Sequence, residues 1–393
     1  MAATAQVLAE PGAAVAAAAV PVTARVVLLR AASDSAWEEA VAGFDGVCQE
    51  QLLTFARTRW PGLRHEPVLF EYGGQLIGGC LVMIQPLPLG VGAIAVVKWG
   101  PMLADAGRPD ALALYGGMVE ALVEEFARQR RLMVSILPHA AIGGNNDEFA
   151  QLLQRGFRPG ARLRYPERYI VNLRLSDEEQ RRSFEQKWRY HLNKSEKAGL
   201  SFEHGDSERL PEFDALYELM VDRKRFPDHS AYETVPALMA LSDDRLRPEL
   251  FFVRHDGEII AGAIIFKAGN RAVYLYGATS DRALPLRAGY FLHWHIIRWL
   301  RDNTRADWYD LGGTDGFQGL HQFKKGMVGS AGVIRPVPPV GNYAAYPLPF
   351  LLGEGAFAAR EFLKSVGHVL DRLRADRASP DQRRHRGSPA GAP

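Results

Sequence analysis

Residues 69–79 read LFEYGGQLIGG, and residues 252–262 read FVRHDGEIIAG. Each stretch has an apolar pair, two variable residues, a Gly-Gly or Asp-Gly pair, a polar residue, two apolar residues, and a small residue followed by glycine. Gly-Gly and Asp-Gly pairs favour the tight turns that join antiparallel strands. Both stretches therefore predict a β-hairpin, and the hairpin occurs twice in the chain.

The two copies continue to match downstream of the hairpins. A third strand, a helix, a short strand and a short helix ending in glycine follow each hairpin in the same order. The paired strands and closing helices are AIAVVKWGP (93–101) and AVYLYGATS (272–280), LMVSIL (132–137) and DWYDLG (307–312), and FAQLLQRGF (149–157) and LHQFKKGMV (320–328). A strand and helices precede each copy: ARVVLLRA in the first, and RYIVNLRL with a long helix from Asp177 in the second. Hairpins of this kind could also recur by chance. The match of several elements in the same order instead predicts two duplicated α/β units.

The overall composition is that of a globular protein. Of the 393 residues, 47% are hydrophobic and 23% are charged. The length of the chain favours two domains. The net charge of +2 is too balanced to indicate nucleic acid as the main partner. Cys48 and Cys80 form no CxxC motif, so we expect neither a metal site nor a disulfide framework, and two free thiols favour a cytoplasmic location.

The predicted organisation has five parts. Residues 1–23 form an alanine-rich tail without the basic start of a signal peptide, and residues 375–393 form a polar, proline-bearing tail. Between them we expect an N-terminal domain at 24–163, a C-terminal domain at 164–345 and an amphipathic helical extension at 346–374. No run of the sequence is long and apolar enough to predict a membrane span.

The order strand, two helices, three strands, helix, strand, helix resembles the GNAT acyltransferase fold. Two such units in tandem resemble the Fem-type aminoacyltransferases, which build peptidoglycan cross-bridges, and related GNAT-like proteins. The motifs that carry the resemblance are KWGPML (98–103), FEQKWRYHLNKSEKAGLSFEHG (184–205), YLYGATSDRALPLRAGYFLHWHIIRWL (274–300) and WYDLGG with GLHQFKKGM (308–327). The resemblance covers roughly residues 25 to 345, which is most of the chain. The resemblance implies an α/β (α+β) fold of two tandem GNAT-like domains with mixed central sheets flanked by helices.

Two features depart from the family. The helical hairpin that some cross-bridge enzymes insert in the second domain to bind tRNA is missing. The segment after Val340, PLPFLLGEGAFAAREFLKSVGHVLDRL, has no counterpart in the resemblance. Its apolar series and the basic tail that follows suit either helix packing onto the domains, which we favour, or contact with an anionic membrane surface.

The resemblance implies a catalytic Phe-Lys pair, which corresponds to Phe323 and Lys324. A cation beside the developing oxyanion stabilises acyl transfer, and the first copy has Gln154 at the equivalent position. A solvated lysine at a helix end is the alternative, and it suits Lys325 better. Tyr276 corresponds to a tyrosine of the acceptor pocket. Asp310 and Asp315 are weaker candidates for a base, and packing is the favoured role of His293 and His295.

Substrate-binding candidates are spread over both domains. The loop DRALPLRAG (281–289) precedes a helix whose N-terminus can bind phosphate, so Arg282, Arg287, Ala288 and Gly289 are expected to bind the donor. The resemblance places a precursor phosphate near Arg223 and Arg225, where a basic helix end is the alternative. The first domain adds further candidates: Arg57 or Arg59, and Lys98 of the KWGPML motif.

These features predict a cytoplasmic acyl- or aminoacyltransferase that acts on an amine of a cell-wall or envelope precursor. No bound cofactor is expected, and the activated donor is either aminoacyl-tRNA or acyl-CoA. The expected partner is a nucleotide- or lipid-linked glycan precursor, with contact at the inner membrane face through the C-terminal helix as a further option, and we expect a monomer. The alternatives are an acyl-CoA-dependent N-acetyltransferase acting on another glycan or small amine, and a non-catalytic phosphoglycan-binding module.

The glycine-lysine stretch at 309–327 is not predicted to be a phosphate loop. A Walker loop needs a lysine directly after the last glycine and then a hydroxyl residue, but Lys324 follows Gly319 by five positions. The glycines instead predict a sharp turn from a strand into a short helix.

Overall fold

A computed structural model describes residues 25–224 and 231–359, apart from the side chains of Leu89 and Lys224. The two predicted tails and the final part of the helical extension lie outside these residues, as does Arg225. Within the described residues the fold is mixed α/β, with two sheets flanked by helices. We call the parts built on these sheets the first and second units.

The first unit begins with a strand and two helices, as its sequence pattern predicts. Its strands are β1 (Val27–Arg30), β2 (Arg64–Tyr72), β3 (Gln75–Pro86), β4 (Ala93–Lys98), β5 (Met102–Leu103), β6 (Met133–Leu137) and β7 (Arg158–Pro159). Its helices are α1 (Asp34–Val41), α2 (Leu53–Arg59), α3 (Ala111–Leu122), which continues as a π-helical segment Val123–Gln129, and α4 (Asp147–Gln154).

The second unit has a matching set of elements. Its strands are β8 (Glu167–Asn172), β9 (Ser201–Gly205), β10 (Glu249–His255), β11 (Glu258–Phe266), β12 (Arg271–Thr279), β13 (Trp308–Asp310) and β14 (Val333–Pro336). Its helices are α5 (Asp177–Ser183), α6 (Gln186–Glu196), α7 (Leu210–Lys224), α8 (Val235–Met239), α9 (Ala283–Leu286), α10 (Ala288–Asn303) and α11 (Gln318–Val328). A last strand, β15 (Gly341–Tyr343), and a helix at 347–359, α12, follow.

Both predicted hairpins are present. The turn between β2 and β3 has Gly73 and Gly74 at positive φ, and the turn between β10 and β11 has Asp256 and Gly257 at positive φ. Two consecutive left-handed residues match the twist of the flanking strands, so these dipeptides set the register of each hairpin. The third strand of each copy then pairs antiparallel with the second strand of the hairpin.

The two sheets have the same order of seven strand positions. The strand at the sixth position follows all the others in the sequence in the first sheet but precedes them in the second. The first sheet runs β1-β2-β3-β4-β6-β15-β7, and the second runs β9-β10-β11-β12-β13-β8-β14. Residues 341–343, which the sequence pattern assigns to the C-terminal domain at 164–345, therefore pair with β6 of the first sheet. The predicted equivalence of ARVVLLRA and RYIVNLRL is also wrong, because β1 is an edge strand beside the hairpin and β8 lies beside β13.

The predicted long helix from Asp177 is two helices. Phe184 ends α5 with an extended ψ of 149°, and Glu185 has a ψ of 148° before α6 begins. Phe184 is buried, with its ring centroid 4.2 Å from that of Trp188. The break lets both aromatic side chains face the second core, which a continuous helix would place on different sides.

An apolar core joins the two units. Trp37, Phe44 and Phe55 of the first unit are buried in one cluster with Leu238 and Phe266 of the second. Arg305 crosses the same interface to the carboxylate of Asp45 and to backbone carbonyls. Because apolar burial provides most of the favourable free energy of packing, the relative position of the units is set by a continuous core.

The described part of the C-terminal extension is helical and packs against the first unit. Phe350, Leu352, Ala356 and Phe357 of α12 contact a cluster that contains Met133. This is the packing that we favour for the extension. Among the described residues, no helix combines the length and the apolarity that a membrane crossing requires.

The β11–β12 turn gives a test of the contact between units. Gly269 has a φ of +77°, and a Cβ there would lie 2.9 Å from Val47 Cγ1 and 3.1 Å from the carbonyl oxygen of Phe44. Gly257 has a similar φ of +81°, but a Cβ added there would have nothing within 4 Å.

We expect Gly257→Ala to cost about 1–2 kcal/mol from the left-handed backbone. Gly269→Ala should cost this amount and about 1–3 kcal/mol more from overpacking. Urea unfolding curves of the two variants measure the difference. Equal unfolding midpoints would show that the turn does not press on the first unit.

Candidate active site

Strands β12 and β13 pair over a short stretch and then separate. Their parallel pairing runs from Arg271 and Trp308 to Val273 and Asp310. Strand β12 continues to Thr279, whereas the chain after β13 turns away at Gly312, which has a φ of +74°. In the first sheet the corresponding strands, β4 and β6, stay paired as far as Lys98 and Leu137. A gap between residues 274–279 and 311–313, here called the wedge, therefore opens in the second unit.

Lys324 lies at the base of the wedge. Only 6% of the residue is exposed, and its Nζ donates hydrogen bonds of 2.5 Å to the carbonyl oxygens of Leu311 and Gly313. Burial and the nearby positive charge of Arg168 lower its pKa to about 8, although Asp310 and Asp315 act in the opposite direction. The lysine therefore satisfies carbonyls that strand pairing leaves free, and it places a titratable cation beside the wedge.

Phe323 connects Lys324 to the start of α10. Its ring packs edge-on against Tyr290 at 4.9 Å, and it contacts His293 at 5.5 Å. A Cβ on Gly289 would lie 3.9 Å from Phe323. His293 itself is buried and lies within hydrogen-bond distance of the Tyr309 hydroxyl at 3.2 Å, consistent with its predicted packing role.

The donor-binding candidates lie at the N-terminus of α10. Arg287 has a φ of +60° and precedes the helix, and Ala288 is fully buried. The Arg287 Nε is buried, and no described residue accepts a hydrogen bond from it. The first turn of a helix has free backbone N–H groups and a partial positive charge, so this end of α10 suits a phosphate.

Arg223 and Arg282 hold the loop that leads to α10. Arg223 donates to the carboxylate of Asp281 at 2.5 Å and to the carbonyl oxygen of Thr279 at 3.0 Å. Arg282 pairs with Glu258 and with Asp256. Both arginines are therefore engaged by the loop and its neighbours in this state of the protein.

A cavity of about 140 Å³ lies between the two units. We call it the inter-unit cavity, and its polar wall consists of Glu50, Trp99, His139, Arg168, Arg271 and Asp310. Gly312 also lines it, and a Cβ on Gly312 would lie 3.9 Å from the Nζ of Lys324. The cavity thus lies next to the base of the wedge.

The candidates Asp310 and Tyr276 both line the inter-unit cavity. Asp310 accepts hydrogen bonds from Arg168 Nε at 3.2 Å and from the Gly312 backbone at 2.8 Å. Burial acts to raise its pKa, but Arg168 and Arg271 outweigh burial, so the pKa lies below its ordinary value. A carboxylate held charged in this way is a poor base. Tyr276 packs edge-on against Tyr232 at 5.0 Å.

Lys98 lies near the cavity, but Arg57 does not line it. Lys98 donates to Glu50 at 2.6 Å, and Glu50 also accepts from the Trp99 indole at 3.0 Å. Arg57 forms a bidentate pair with Asp34 on an exposed face of the first unit. The expectation that Arg57 adds to the cleft is therefore wrong, since its helix turns it towards α1.

Sequence reasoning missed the charged residues of the cavity wall. Arg168 and Arg271 stand at the start of the apolar strands RYIVN and RAVYLY. A charge beside a buried strand is a usable signal, but it also marks an ordinary strand end. Arg271 donates to Ala140 of the first unit, and the Arg168 guanidinium lies over the Trp99 ring of the first unit, so sequence spacing does not reveal these contacts.

Comparisons with known proteins identify the domain to which most of the second unit is similar. Residues 182–325 match the sequence model of the "Acetyltransferase (GNAT) domain" family, a stretch that includes β12, α10, β13 and Lys324. No curated protein matches the sequence. The predicted enzyme class, an acyltransferase, is confirmed by the domain match.

Three solved structures match between 70% and 83% of this chain. The crystal structure of FemX has 18% sequence identity and a TM-score of 0.66, over 83% of this chain and 99% of FemX. A conserved protein of unknown function from Bacteroides thetaiotaomicron has 12% identity and a TM-score of 0.50, over 80% and 97%. The C-terminal domain of a putative lysylphosphatidylglycerol synthetase from Agrobacterium fabrum has 15% identity and a TM-score of 0.45, over 70% and 84%. The FemX likeness confirms the predicted fold of two GNAT-like units.

The lowered pKa of Lys324 has a measurable effect on stability. Between pH 8 and the ordinary lysine range near 10.5, the unfolded chain holds a proton that the folded chain has released. Since stability rises with pH wherever the unfolded state binds more protons, the wild type should gain up to about 1.4 kcal/mol per pH unit in this window.

Lys324→Met should lack this gain, and Lys325→Met, which changes an exposed neighbour, should keep it. Urea unfolding at pH 7.5 and pH 9.5 measures the three proteins. The same pH dependence in Lys324→Met and wild type would contradict the assignment.

Proposed function

We propose that this acyltransferase moves an acyl or aminoacyl group from an activated ester or thioester to an amine of a cell-wall or other envelope precursor. The wedge carries the proposal, because it combines a gap between strands with a buried cation in the second unit. The resemblance to Fem-type aminoacyltransferases favours the envelope precursor. The GNAT domain match favours acyl-CoA as donor, with aminoacyl-tRNA as the alternative.

Lys324 is proposed to stabilise the oxyanion of the tetrahedral intermediate. The neutral amine attacks the acyl carbon and forms a C–N bond, and the carbonyl electron pair moves onto oxygen. Collapse of the intermediate expels the thiolate or ribose oxygen, and the amine proton passes to water and then to the leaving group. Two of the three lysine protons bind the Leu311 and Gly313 carbonyls, so the third is available for the oxyanion.

The donor phosphates are proposed to lie at the start of α10. Arg287, Ala288 and Gly289 supply the turn of backbone before and within the first helical residues. Phe323 packs beneath Gly289 and links this site to Lys324. The acyl group would then extend from the phosphate site along the wedge, with Tyr276 and Asp310 on the acceptor side.

The central test is turnover of candidate donors. The purified protein is incubated with acetyl-CoA, longer acyl-CoA or aminoacyl-tRNA and with nucleotide- or lipid-linked precursor, and the acceptor mass is measured. Lys324→Met should reduce kcat by about 10²–10³-fold, the usual cost of losing an oxyanion donor. Lys325→Met is the matched control and should retain activity.

Two results would overturn the proposal. One is that no donor is consumed with any acceptor, which would favour a binding module. The other is that Lys324→Met turns over at the wild-type rate.

Arg223 is proposed to contact the phosphate of the precursor, and its bond to Asp281 allows a two-variant test. If Arg223 binds phosphate directly, Asp281→Asn removes a competing carboxylate and should lower KM for the precursor, while Arg223→Ala raises it. If Arg223 only anchors the loop, both variants should raise the KM for the precursor. Steady-state kinetics with varied precursor decides between these outcomes.

A further inference from the structure

Arg271 is a largely enclosed cation with few partners. It is the first residue of β12 and lines the inter-unit cavity. Its one side-chain hydrogen bond within the described chain goes to the carbonyl oxygen of Ala140 in the first unit, at 3.1 Å. A guanidinium has five N–H donors, so most of those of Arg271 have no acceptor among the described residues.

Other arginines at the boundary between the units are compensated differently. Arg305 holds the carboxylate of Asp45 at 2.5 Å, and Arg245 holds that of Glu39 at 2.8 Å. Arg271 forms no ion pair with any carboxylate of the described residues, although Asp310 and Glu148 act on it from a greater distance. Burial accordingly lowers the pKa of Arg271 despite these two carboxyl groups.

With Glu148 protonated, the charges around the cavity leave a surplus of one positive charge. Arg168, Arg271 and Lys98 are the cations, and Glu50 and Asp310 are the carboxylates that pair with two of them. His139 adds no charge, because burial lowers its pKa to about 3. Glu148 faces Arg271 from α4, but burial raises its pKa to about 7, so it is protonated in part of the molecules near neutral pH.

The surplus and the size of the cavity favour a small monoanion. One negative charge neutralises the wall, whereas a dianionic phosphate would exceed the surplus and meet the carboxylates of Glu50 and Asp310. A volume of about 140 Å³ is roughly ten times the minimum of about 15 Å³ for one water molecule, and it is below the roughly 300–1,000 Å³ of sites for whole ligands. A carboxylate with a few carbon atoms fits both conditions.

We propose that the inter-unit cavity is a carboxylate subsite in which Arg271 binds the carboxylate of the acceptor. The acceptor class is then an amine that also carries a carboxylate, as in an amino acid or peptide end. Gly312 separates this subsite from Lys324, so the rest of such an acceptor can extend to the wedge. The acceptor assignment rests on the proposed function, but binding of a carboxylate does not.

The binding experiment uses the full chain without any donor. Propionate, inorganic phosphate and chloride at matched ionic strength are compared by thermal unfolding and isothermal titration, since a ligand of the folded state raises Tm. The part of the rise in Tm that Arg271→Met removes should be larger for propionate than for phosphate or chloride, because phosphate bound at the start of α10 is unaffected by that variant. Arg271→Met should weaken propionate binding at least tenfold.

Arg305→Met is the matched control, because it removes an arginine of the same interface that does not line the cavity. It should lower the starting Tm yet keep the propionate response. Arg271→Met should start near the wild-type Tm, because the partly exposed Arg271 has no ion pair to lose among the described residues. If Arg271→Met does not fold, Arg271→Lys keeps the charge without the two-pronged geometry and should bind propionate at least tenfold more weakly.

The subsite is rejected if Arg271→Met responds to propionate like the wild type. It is also rejected if the part of the stabilisation that Arg271→Met removes is larger for phosphate than for propionate. In a transfer assay, Arg271→Met should raise KM for a carboxylate-bearing amine while changing KM for the corresponding simple amine little. Propionate binding without any turnover would reject the proposed function and leave the carboxylate subsite intact.

Discussion

The hydrogen bonds from Lys324 to the carbonyls of Leu311 and Gly313 hold the second unit in its open form. Where β12 and β13 separate, the peptide groups after β13 lose the neighbouring strand that would satisfy them. Unsatisfied buried carbonyls are costly, and a lysine from α11 supplies the missing donors. The same ammonium is a buried cation beside the wedge. One side chain therefore satisfies the carbonyls that the opening leaves free and places a positive charge next to the opening. The first unit has Gln154 at the equivalent position and keeps its strands paired.

The two units thus have the same strand order, and the corresponding strand pair separates early only in the second unit. Both sheets have the same seven-position order, and a shared apolar core fixes one unit against the other. Both units line the inter-unit cavity: Arg168 and Arg271 come from the second sheet, and Glu50 and Trp99 come from the first unit. The wedge, which belongs to one unit, therefore lies beside a cavity that both units line.

Local patterns predicted the two hairpins and the order of strands and helices that follows each of them, because these depend on nearby residues, whereas Lys324 was identified through the resemblance to a known family. Gly73, Gly74 and Gly257 have the left-handed conformations that their dipeptides favour. The pairing of β15 with β6 was not predictable, since an alternating pattern marks a buried strand without naming its neighbour. Arg271 was missed for a related reason. It is a candidate because no described residue of either unit pairs a carboxylate with it, and this can be seen only once the two units are placed together. The break at Phe184 likewise depends on aromatic packing with Trp188 and not on a helix-breaking residue.

The position of β15 also affects the order in which the protein is made. The first sheet needs residues 341–343 between β6 and β7, and the ribosome adds them only after the whole second unit. At about 5–20 residues per second, β6 waits roughly 10–40 s for its neighbour. During that time its edge offers unpaired N–H and C=O groups to other strands. Folding of the nascent chain is therefore not complete unit by unit, because the first sheet receives its sixth strand only after the second unit has been synthesised.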